Sequence, residues 1–356
     1  AVIVPGFTDA HLHLPQFHQR GVVSGDLLTW LRDAILPAEA RWADPAHARA
    51  EAEAALRAML RAGTVRAAAF LSPHPAAIDA AHAAAARVPL DLLAGVPLMD
   101  REAPAELLQP AGRPPEPATS LEHEGFRISV NPRFAVSCTE AMLAAAGRLA
   151  AAGTGRFMHT HLAEQPAECR RVAELFPDDA SYTAVYDRFG LLHRRTLLAH
   201  AIHLSPEEWD LIASREAVVV HCPTANVFLG SDVMDLAAAR RRGIRVALGS
   251  DVAAGPDLSM PRVARAMLES AGVRRRLIDP DAVVPSAAEA WRMITEGNAA
   301  AIGRPDAGRL APGARADVLV LRPDEPLDEH AAGRLLYAWD EAWITDRVLG
   351  GHRIHA

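Results

Sequence analysis

Short apolar runs recur along the chain, and stretches with helix signals separate them. Eight of these runs are apolar or β-branched and are bounded by glycine, proline or charge, which is typical of buried strands. They lie near residues 2–11, 64–71, 90–98, 126–132, 156–161, 196–200, 217–222 and 244–251. The clearest helix signal runs from Asp44 and Pro45, an N-cap and a first-turn proline, to a terminating Gly63. This alternation predicts an α/β protein built as a parallel (β/α)8 TIM barrel.

The connection between the third and fourth predicted strands departs from this pattern. Residues 102–122 contain five prolines. Proline removes a backbone donor and clashes with the preceding turn of a helix. We therefore expect no full helix in this connection.

Histidine and acidic residues follow four of the predicted strands at their C-terminal ends. The four motifs are His11-Leu12-His13, His161-x-x-Glu164, His200 and Ser250-Asp251. In a parallel barrel these strand ends open into one shared mouth, where the active site lies. A lone histidine is more often a hydrogen-bonded structural residue than a ligand. The whole set, in register with the strands, nevertheless favours one metal site.

The residue types in these motifs suit a metal that activates water. Such an ion needs three or four nitrogen and oxygen ligands and one open position. We expect His11, His13 and His161 to supply three imidazoles and Asp251 to supply a carboxylate. This ligand set suits zinc, with one ion per chain, and iron is also compatible with it.

A hydrolytic reaction at this site also needs a group that moves protons. Glu164 stands just beyond a strand end, so it can reach the pocket without being a ligand, and we predict that it does this work. Asp251 could share it. The alternative for Glu164 is an acidic residue that stabilises a helix N-terminus.

Composition and charge narrow the protein class and its partners. A length of 356 residues with 50% hydrophobic residues fits one large globular domain and a small remainder. The net charge of −7 shows no excess of basic residues that would indicate nucleic-acid binding. No apolar run reaches the roughly 20 residues that span a bilayer, so we expect no membrane partner. Three cysteines without a C-x-x-C pair favour a reducing compartment, and hence the cytoplasm.

Several segments carry a family resemblance. Residues 5–13 (PGFTDAHLH) resemble the first-strand signature of the amidohydrolase superfamily, and the following LPQF is similar to its guanine deaminases. Further similar segments occur in the family's order: 27–39 (LLTWLRDAILPAE), 131–138 (NPRFAVSC), 159–164 (HTHLAE), 182–187 (YTAVYD), 199–200 (AH), 221–226 (HCPTAN) and 248–253 (LGSDVA). The resemblance covers nearly all of residues 5–351.

The resemblance implies a zinc-dependent enzyme that hydrolyses guanine to xanthine and ammonia through a tetrahedral intermediate at C2. It implies that His200 polarises or orients the attacking water and is not a fourth imidazole ligand. Members of this family are commonly dimers, so the resemblance also implies a homodimer.

Recognition of a purine requires an amide that can both donate and accept, and a cation or donor aimed at the carbonyl. Gln16 and Arg133 fit these two roles. Phe134 would supply a flat apolar contact for the base, and Trp30 could close the pocket. Without the resemblance, Phe134 and Trp30 would be core residues more often than not, and Arg133 would be a surface or salt-bridged arginine.

Two other functions fit parts of the pattern. The same machinery serves deaminases of 8-oxoguanine, pterins or triazines, and the pairing of Gln16 with Arg133 argues against them. A non-catalytic scaffold of this fold would be expected to have lost ligands, whereas every expected polar residue is present.

Two departures from the family concern the chain's ends and its second strand. Relatives carry strands upstream that join C-terminal strands in a small β-sandwich, and only ten residues precede His11. We expect a catalytic barrel over residues 7–305, with 1–6 and 306–356 as a remnant of that sandwich. We also expect the sequence to be a fragment, since a true truncation would expose strand edges to a partner.

Arg66 stands where the family has threonines, and the sequence offers no reason for it.

Overall fold

The computed structural model describes residues 1–22, 27–152 and 155–354. Within them, eight strands form a parallel barrel, numbered here in chain order: β1 (Phe7–His13), β2 (Thr64–Phe70), β3 (Asp91–Gly95), β4 (Phe126–Ile128), β5 (Met158–Leu162), β6 (Thr196–His200), β7 (Val218–His221) and β8 (Arg245–Leu248). Nearly all residues of β1 to β7 are buried, as expected of strands that are covered on both faces, and β8 is buried at Ala247 and Leu248.

Hydrogen bonds close the barrel in chain order. β1 to β4 form one parallel ladder and β5 to β8 form another. The backbone of Val130, just after β4, exchanges hydrogen bonds of 2.9 and 3.0 Å with Phe157 and His159. On the opposite side, the Asp251 N–H donates to the His11 carbonyl at 2.9 Å, and the His13 N–H donates to the Val252 carbonyl at 2.9 Å. The predicted TIM barrel is confirmed.

The predicted first strand, 2–11, is wrong because the chain changes sheets at Gly6. Val2–Pro5 pairs antiparallel with Val318–Leu321 outside the barrel, and β1 begins at Phe7. A Cβ at Gly6 would lie 2.5 Å from the Val65 side chain. Only a glycine permits this close approach at the point where the two strands meet.

The third and fourth strands are shorter than predicted. β3 ends at Gly95 and β4 ends at Ile128, and a separate parallel pair of two residues each follows, Pro97–Leu98 with Asn131–Pro132. The connection between them contains only short 3-10 turns, Ala105–Leu107 and Thr119–Leu121, among the described residues. The prediction that no full helix forms there is confirmed.

Helices surround the barrel. The α-helices are Leu27–Trp30, Leu36–Ala40, Pro45–Arg61, Ala76–Arg87, Glu140–Ala151, Pro166–Leu175, Tyr182–Arg188, Pro206–Ser214, Pro223–Phe228, Leu236–Arg241, Met260–Leu277, Ala287–Arg292, Asn298–Ala301 and Ala331–Tyr337. π-Helical turns connect some neighbouring helices. Leu31–Ile35 joins Leu27–Trp30 to Leu36–Ala40, and Met293–Gly297 joins Ala287–Arg292 to Asn298–Ala301. The Asp44 carboxylate caps Pro45–Arg61 by accepting from the Ala46 N–H, as its sequence predicted. Among the helices of the described ranges, none has both the length and the apolar character needed to cross a bilayer.

A small antiparallel sheet lies beside the barrel. Its strand order is Val2–Pro5, Val318–Leu321, Ile344–Leu349 and His352–Ile354. The Arg66 side chain, fully buried on β2, forms an ion pair with Asp317 at the entrance to this sheet. The Asp317 carboxylate also accepts from the Gly350 N–H at 2.6 Å. Arg66 therefore ties the barrel to the sheet, which explains the arginine that the sequence left unexplained.

We predict that Asp317→Ala lowers the free energy of unfolding by about 3–5 kcal/mol, because Arg66 would remain buried without its partner. Urea unfolding followed by circular dichroism measures this change. Adding Arg66→Met should recover a large part of the loss, since no unpaired charge then remains. Glu53→Ala, which breaks the surface pairs with Arg57 and Arg87, is the matched control and should have little effect. An Asp317→Ala protein as stable as the control would contradict the assignment.

Candidate active site

The predicted metal-binding residues meet at the C-terminal mouth of the barrel. His11 and His13 lie on β1, His161 lies on β5, and Asp251 follows β8. The His13 and His161 Nε2 atoms are 3.0 Å apart. Asp251 Oδ1 lies 3.1 Å from His11 Nε2 and 3.5 Å from His13 Nε2. Residues separated by up to 240 positions in the sequence thus point their donor atoms at one small volume.

The donor atoms of this cluster fit a divalent cation. Three of these residues, His11, His161 and Asp251, also form a group with His200 in which one nitrogen or oxygen atom of each residue lies within 4.8 Å of all the others. Nε2 of His11 and Nε2 of His200 are buried and make no hydrogen bond within the described ranges. A buried polar atom without a partner costs free energy, and a cation bound to His11 Nε2 would relieve that cost there.

Burial keeps the imidazoles in the form that binds metal. It lowers the pKa values of His11, His13 and His161 well below the usual value, and neighbouring imidazoles lower them further. These rings are therefore neutral near pH 7, with a lone pair available for a ligand bond.

Contacts behind the rings fix which nitrogen faces the cluster. His161 Nδ1 lies 2.6 Å from the Arg133 carbonyl, so Nδ1 carries the proton and Nε2 is free. His200 Nδ1 lies 2.9 Å from Asn226 Oδ1 in the same arrangement. His11 Nδ1 lies 2.6 Å from His159 Nε2. The sequence reasoning missed the parts played by Asn226 and His159, although both stand inside the motifs that carried the resemblance.

A buried aspartate holds β1 against the segment after β8. Asp9 accepts hydrogen bonds from the backbone N–H groups of His11 and Ser250, at 3.2 and 3.0 Å, and from the Ser250 hydroxyl at 2.5 Å. Burial raises the pKa of Asp9 to about 7, against the opposing effect of these hydrogen bonds.

His200 and Asp251 adopt left-handed backbone conformations, with φ of 72° and 50°. Such strain in non-glycine residues is typical of functional sites.

Glu164 faces the cluster and does not cap the following helix. Its Oε2 lies 3.5 Å from His200 Nε2, and its Oε1 accepts from the Ser231 hydroxyl at 3.4 Å. Glu168 takes the capping role, because its carboxylate accepts from the N–H groups of Glu164 and Gln165 at 2.8 and 3.2 Å. The structure thus favours the pocket over the helix N-terminus for Glu164.

The two acidic groups of the site hold protons more tightly than exposed carboxyls do. Burial, together with repulsion from Asp251, raises the pKa of Glu164 well above its usual value. Burial raises the pKa of Asp251 to about 6, although His200 and Arg133 oppose the change. A carboxyl group with a raised pKa can both accept and return a proton near neutral pH.

A cavity adjoins the cluster and contains all four predicted substrate contacts. Gln16, Trp30, Arg133 and Phe134 line it together with His161, Glu164 and Asp251. The Trp30 indole N–H donates to the Val22 carbonyl at 2.8 Å, which fixes its ring.

A carboxylate that sequence reasoning missed links two of these contacts. Glu39 Oε1 accepts from Gln16 Nε2 at 2.9 Å, and Glu39 Oε2 accepts from an Arg133 Nη1–H at 2.6 Å. Gln16 Oε1 in turn accepts from the Ala253 N–H at 3.3 Å. Glu39 ends the segment 27–39 that resembles the family, but nothing local in the sequence indicates its two partners.

The chain is similar to known proteins in both sequence and fold. The model of the amidohydrolase family matches residues 2–353. The guanine deaminase of Escherichia coli strain K12 is 33% identical over 328 residues, which are 90% of this chain and 73% of that protein. The structure of a guanine deaminase from C. acetobutylicum with bound guanine has a TM-score of 0.91 at 26% identity and covers 99% of this chain and 87% of that chain. An adenosine deaminase from Xanthomonas campestris with bound zinc has a TM-score of 0.85 at 25% identity, with 99% and 80% covered.

We predict that the purified protein binds about one zinc ion per chain, and that His161→Ala or Asp251→Ala abolishes this binding, because each removes a converging ligand. Zinc is measured by mass spectrometry after dialysis. His82→Ala is the matched control, since His82 contacts His123 and Phe126 away from the cluster and should leave the metal content unchanged. Full zinc occupancy in both ligand variants would rule out this cluster as the metal site.

Proposed function

Because the chain belongs to the amidohydrolase family, we propose that it is a zinc-dependent hydrolase that deaminates guanine to xanthine and ammonia. The observation that carries the proposal is the arrangement of one cavity. A cluster of neutral imidazoles with Glu164 and Asp251 lies beside a cavity whose other polar lining residues are Gln16 and Arg133. The imidazoles with Glu164 and Asp251 fit a hydrolytic reaction, and Gln16 and Arg133 fit the binding of a ring with a carbonyl group.

We assign the metal ligands as His11, His13, His161 and Asp251. When bound, zinc would act as a Lewis acid that makes water nucleophilic near neutral pH. His200 Nε2 lies 3.5 Å from Glu164 Oε2 and 3.7 Å from Asp251 Oδ2. This position between two carboxyl groups supports the proposal that His200 orients the attacking water and is not a fourth imidazole ligand.

Glu164 is the proposed proton carrier. Its carboxylate accepts a proton from the attacking water, delivers it to a ring nitrogen, and later assists the departure of ammonia. Burial and the charge of Asp251 both disfavour a second negative charge and raise the pKa of Glu164, so it takes up a proton more readily than an exposed carboxylate does. Asp251 Oδ2, which faces His200, can hold a hydrogen bond from the same water.

The opposite side of the cavity binds and orients the ring. Arg133 directs donors at the C6 carbonyl, and Gln16 offers an amide to the ring N–H groups and acceptors. Phe134 and Trp30 supply apolar surfaces that exclude water from the ring. With the ring held in this way, its C2 amine faces Glu164 and the metal ligands.

Three further expectations remain proposals. We propose a barrel domain over residues 7–305 with a small sheet domain from 1–6 and 306–356, which the antiparallel sheet around Val318–Leu321 supports. We also propose a homodimer and a cytoplasmic location.

We predict that the zinc-loaded full-length protein converts guanine to xanthine, and that Glu164→Gln lowers kcat by about 10²- to 10⁴-fold through loss of proton transfer. The ultraviolet spectrum follows the conversion, with 8-oxoguanine and a pterin as competing substrates. The variant should keep its zinc, which excludes a folding defect as the cause.

Two outcomes would contradict parts of this proposal. Turnover of 8-oxoguanine or the pterin without turnover of guanine would retain the mechanism and reject the substrate. Glu164→Gln protein with unchanged kcat would reject Glu164 as the proton carrier.

A further inference from the structure

Glu39 is a buried carboxylate just behind the substrate cavity. It lies in the helix Leu36–Ala40 and is fully buried. Its two carboxylate oxygens contact two different residues of the cavity wall, Gln16 and Arg133. A buried carboxylate is costly unless it is paired and hydrogen-bonded, and both of these partners are groups that we assign to substrate recognition.

The contact with Arg133 fixes one side of its guanidinium. Nη1 donates to Glu39 Oε2 at 2.6 Å, and both side chains are at most 4% exposed. The planar guanidinium has five donors in a rigid fork, so holding one nitrogen fixes the direction of the others. The ion pair also leaves this end of the cavity without a net charge from Arg133, which suits a neutral ring.

The contact with Gln16 fixes the sense of its amide. A carboxylate only accepts hydrogen bonds, so the group 2.9 Å from Glu39 Oε1 must be the Gln16 NH2. The Ala253 N–H only donates, so the group 3.3 Å from it must be the amide oxygen. Turning the amide over would set acceptor against acceptor and donor against donor. Glu39 and Ala253 together therefore determine where this wall presents a donor and where it presents an acceptor.

We propose that Glu39 is a positioning residue that makes the site selective for a purine with a carbonyl at C6. It acts through Gln16 and Arg133, by holding the donors and the acceptor in one pattern that a 6-oxo ring complements. This inference rests on the proposed function, since it concerns how the same cavity chooses its substrate.

The test compares guanine with 2-aminopurine, which has the same C2 amine but lacks the C6 carbonyl. The variant Glu39→Gln removes the charge and keeps the shape. Glu39→Asp keeps the charge for Arg133 but is too short to reach both partners, so it serves if the first variant folds poorly. Glu51→Gln is the matched control, because Glu51 is also a buried carboxylate, bonded to Trp42 Nε1 at 2.6 Å, outside the cavity.

Steady-state kinetics on the zinc-loaded full-length protein give kcat and KM for both rings. We expect the preference for guanine over 2-aminopurine, as a ratio of kcat/KM, to fall roughly 10- to 100-fold in Glu39→Gln, the range of one hydrogen bond to a charged group. KM for guanine should rise more than kcat falls, and the values for 2-aminopurine should change little. Glu51→Gln should keep the wild-type preference.

An equal loss of activity on both rings, or a preference within about twofold of wild type in both Glu39 variants, would overturn the proposal. The first result would assign Glu39 a purely structural role. The second would show that Glu39 does not influence the choice between the two substrates.

A binding measurement separates this inference from the proposed reaction. In Glu164→Gln protein, the fluorescence of 2-aminopurine reports its binding, and competition reports that of guanine. If the wild-type protein fails to deaminate guanine, the reaction is rejected, but a binding preference for guanine that Glu39→Gln removes would still support Glu39. If the protein with intact Glu39 binds guanine and 2-aminopurine equally well, both the proposed selectivity for guanine and the role of Glu39 in it are overturned.

Discussion

The closure of the barrel between β8 and β1 is the constraint on which the rest of the site depends. Two backbone hydrogen bonds join the segment after β8 to His11 and His13, and Asp9 binds the Ser250 backbone and hydroxyl at the same place. This closure brings Asp251 within 3.1 Å of His11 Nε2. If the two strands were displaced by one residue, the alternation of side chains would turn the histidines away from the mouth.

Burial then determines what the assembled groups can do. It holds the imidazoles neutral and raises the pKa values of Asp251 and Glu164, so the same low-polarity surroundings prepare ligands and a proton carrier. The buried His11 Nε2, which has no hydrogen-bond partner in the described ranges, adds to the cost of the cluster without a cation. The cluster is therefore better explained by metal binding than by its contribution to stability.

The sequence was sufficient to predict the barrel and the meeting of the four motifs at its mouth, because both depend on local signals. Strand ends are marked by changes from apolar to polar residues, and the ligands stand directly at those ends. The Pro5-Gly6 pair is a local break signal, but the apolar residues on both sides of it look like parts of one strand. The structure separates them at Gly6, which packs closely against Val65.

Other features depend on partners that are distant in the chain. Arg66 finds Asp317 251 positions away, and Glu39 finds Arg133 94 positions away. His159 looked like a neighbour of His161, yet its contact is with His11 on another strand. No local pattern indicates such pairs, since a buried charge becomes acceptable only through a partner that folding brings to it.

The most direct test of the central claim is an anomalous-difference map at the zinc absorption edge, from crystals of the full-length zinc-loaded protein with xanthine. The account predicts one peak per chain between His11, His13, His161 and Asp251, with the C6 carbonyl of the ring against Arg133 and Gln16. A peak at other side chains, or a ring with its C6 carbonyl turned toward Glu164, would contradict it.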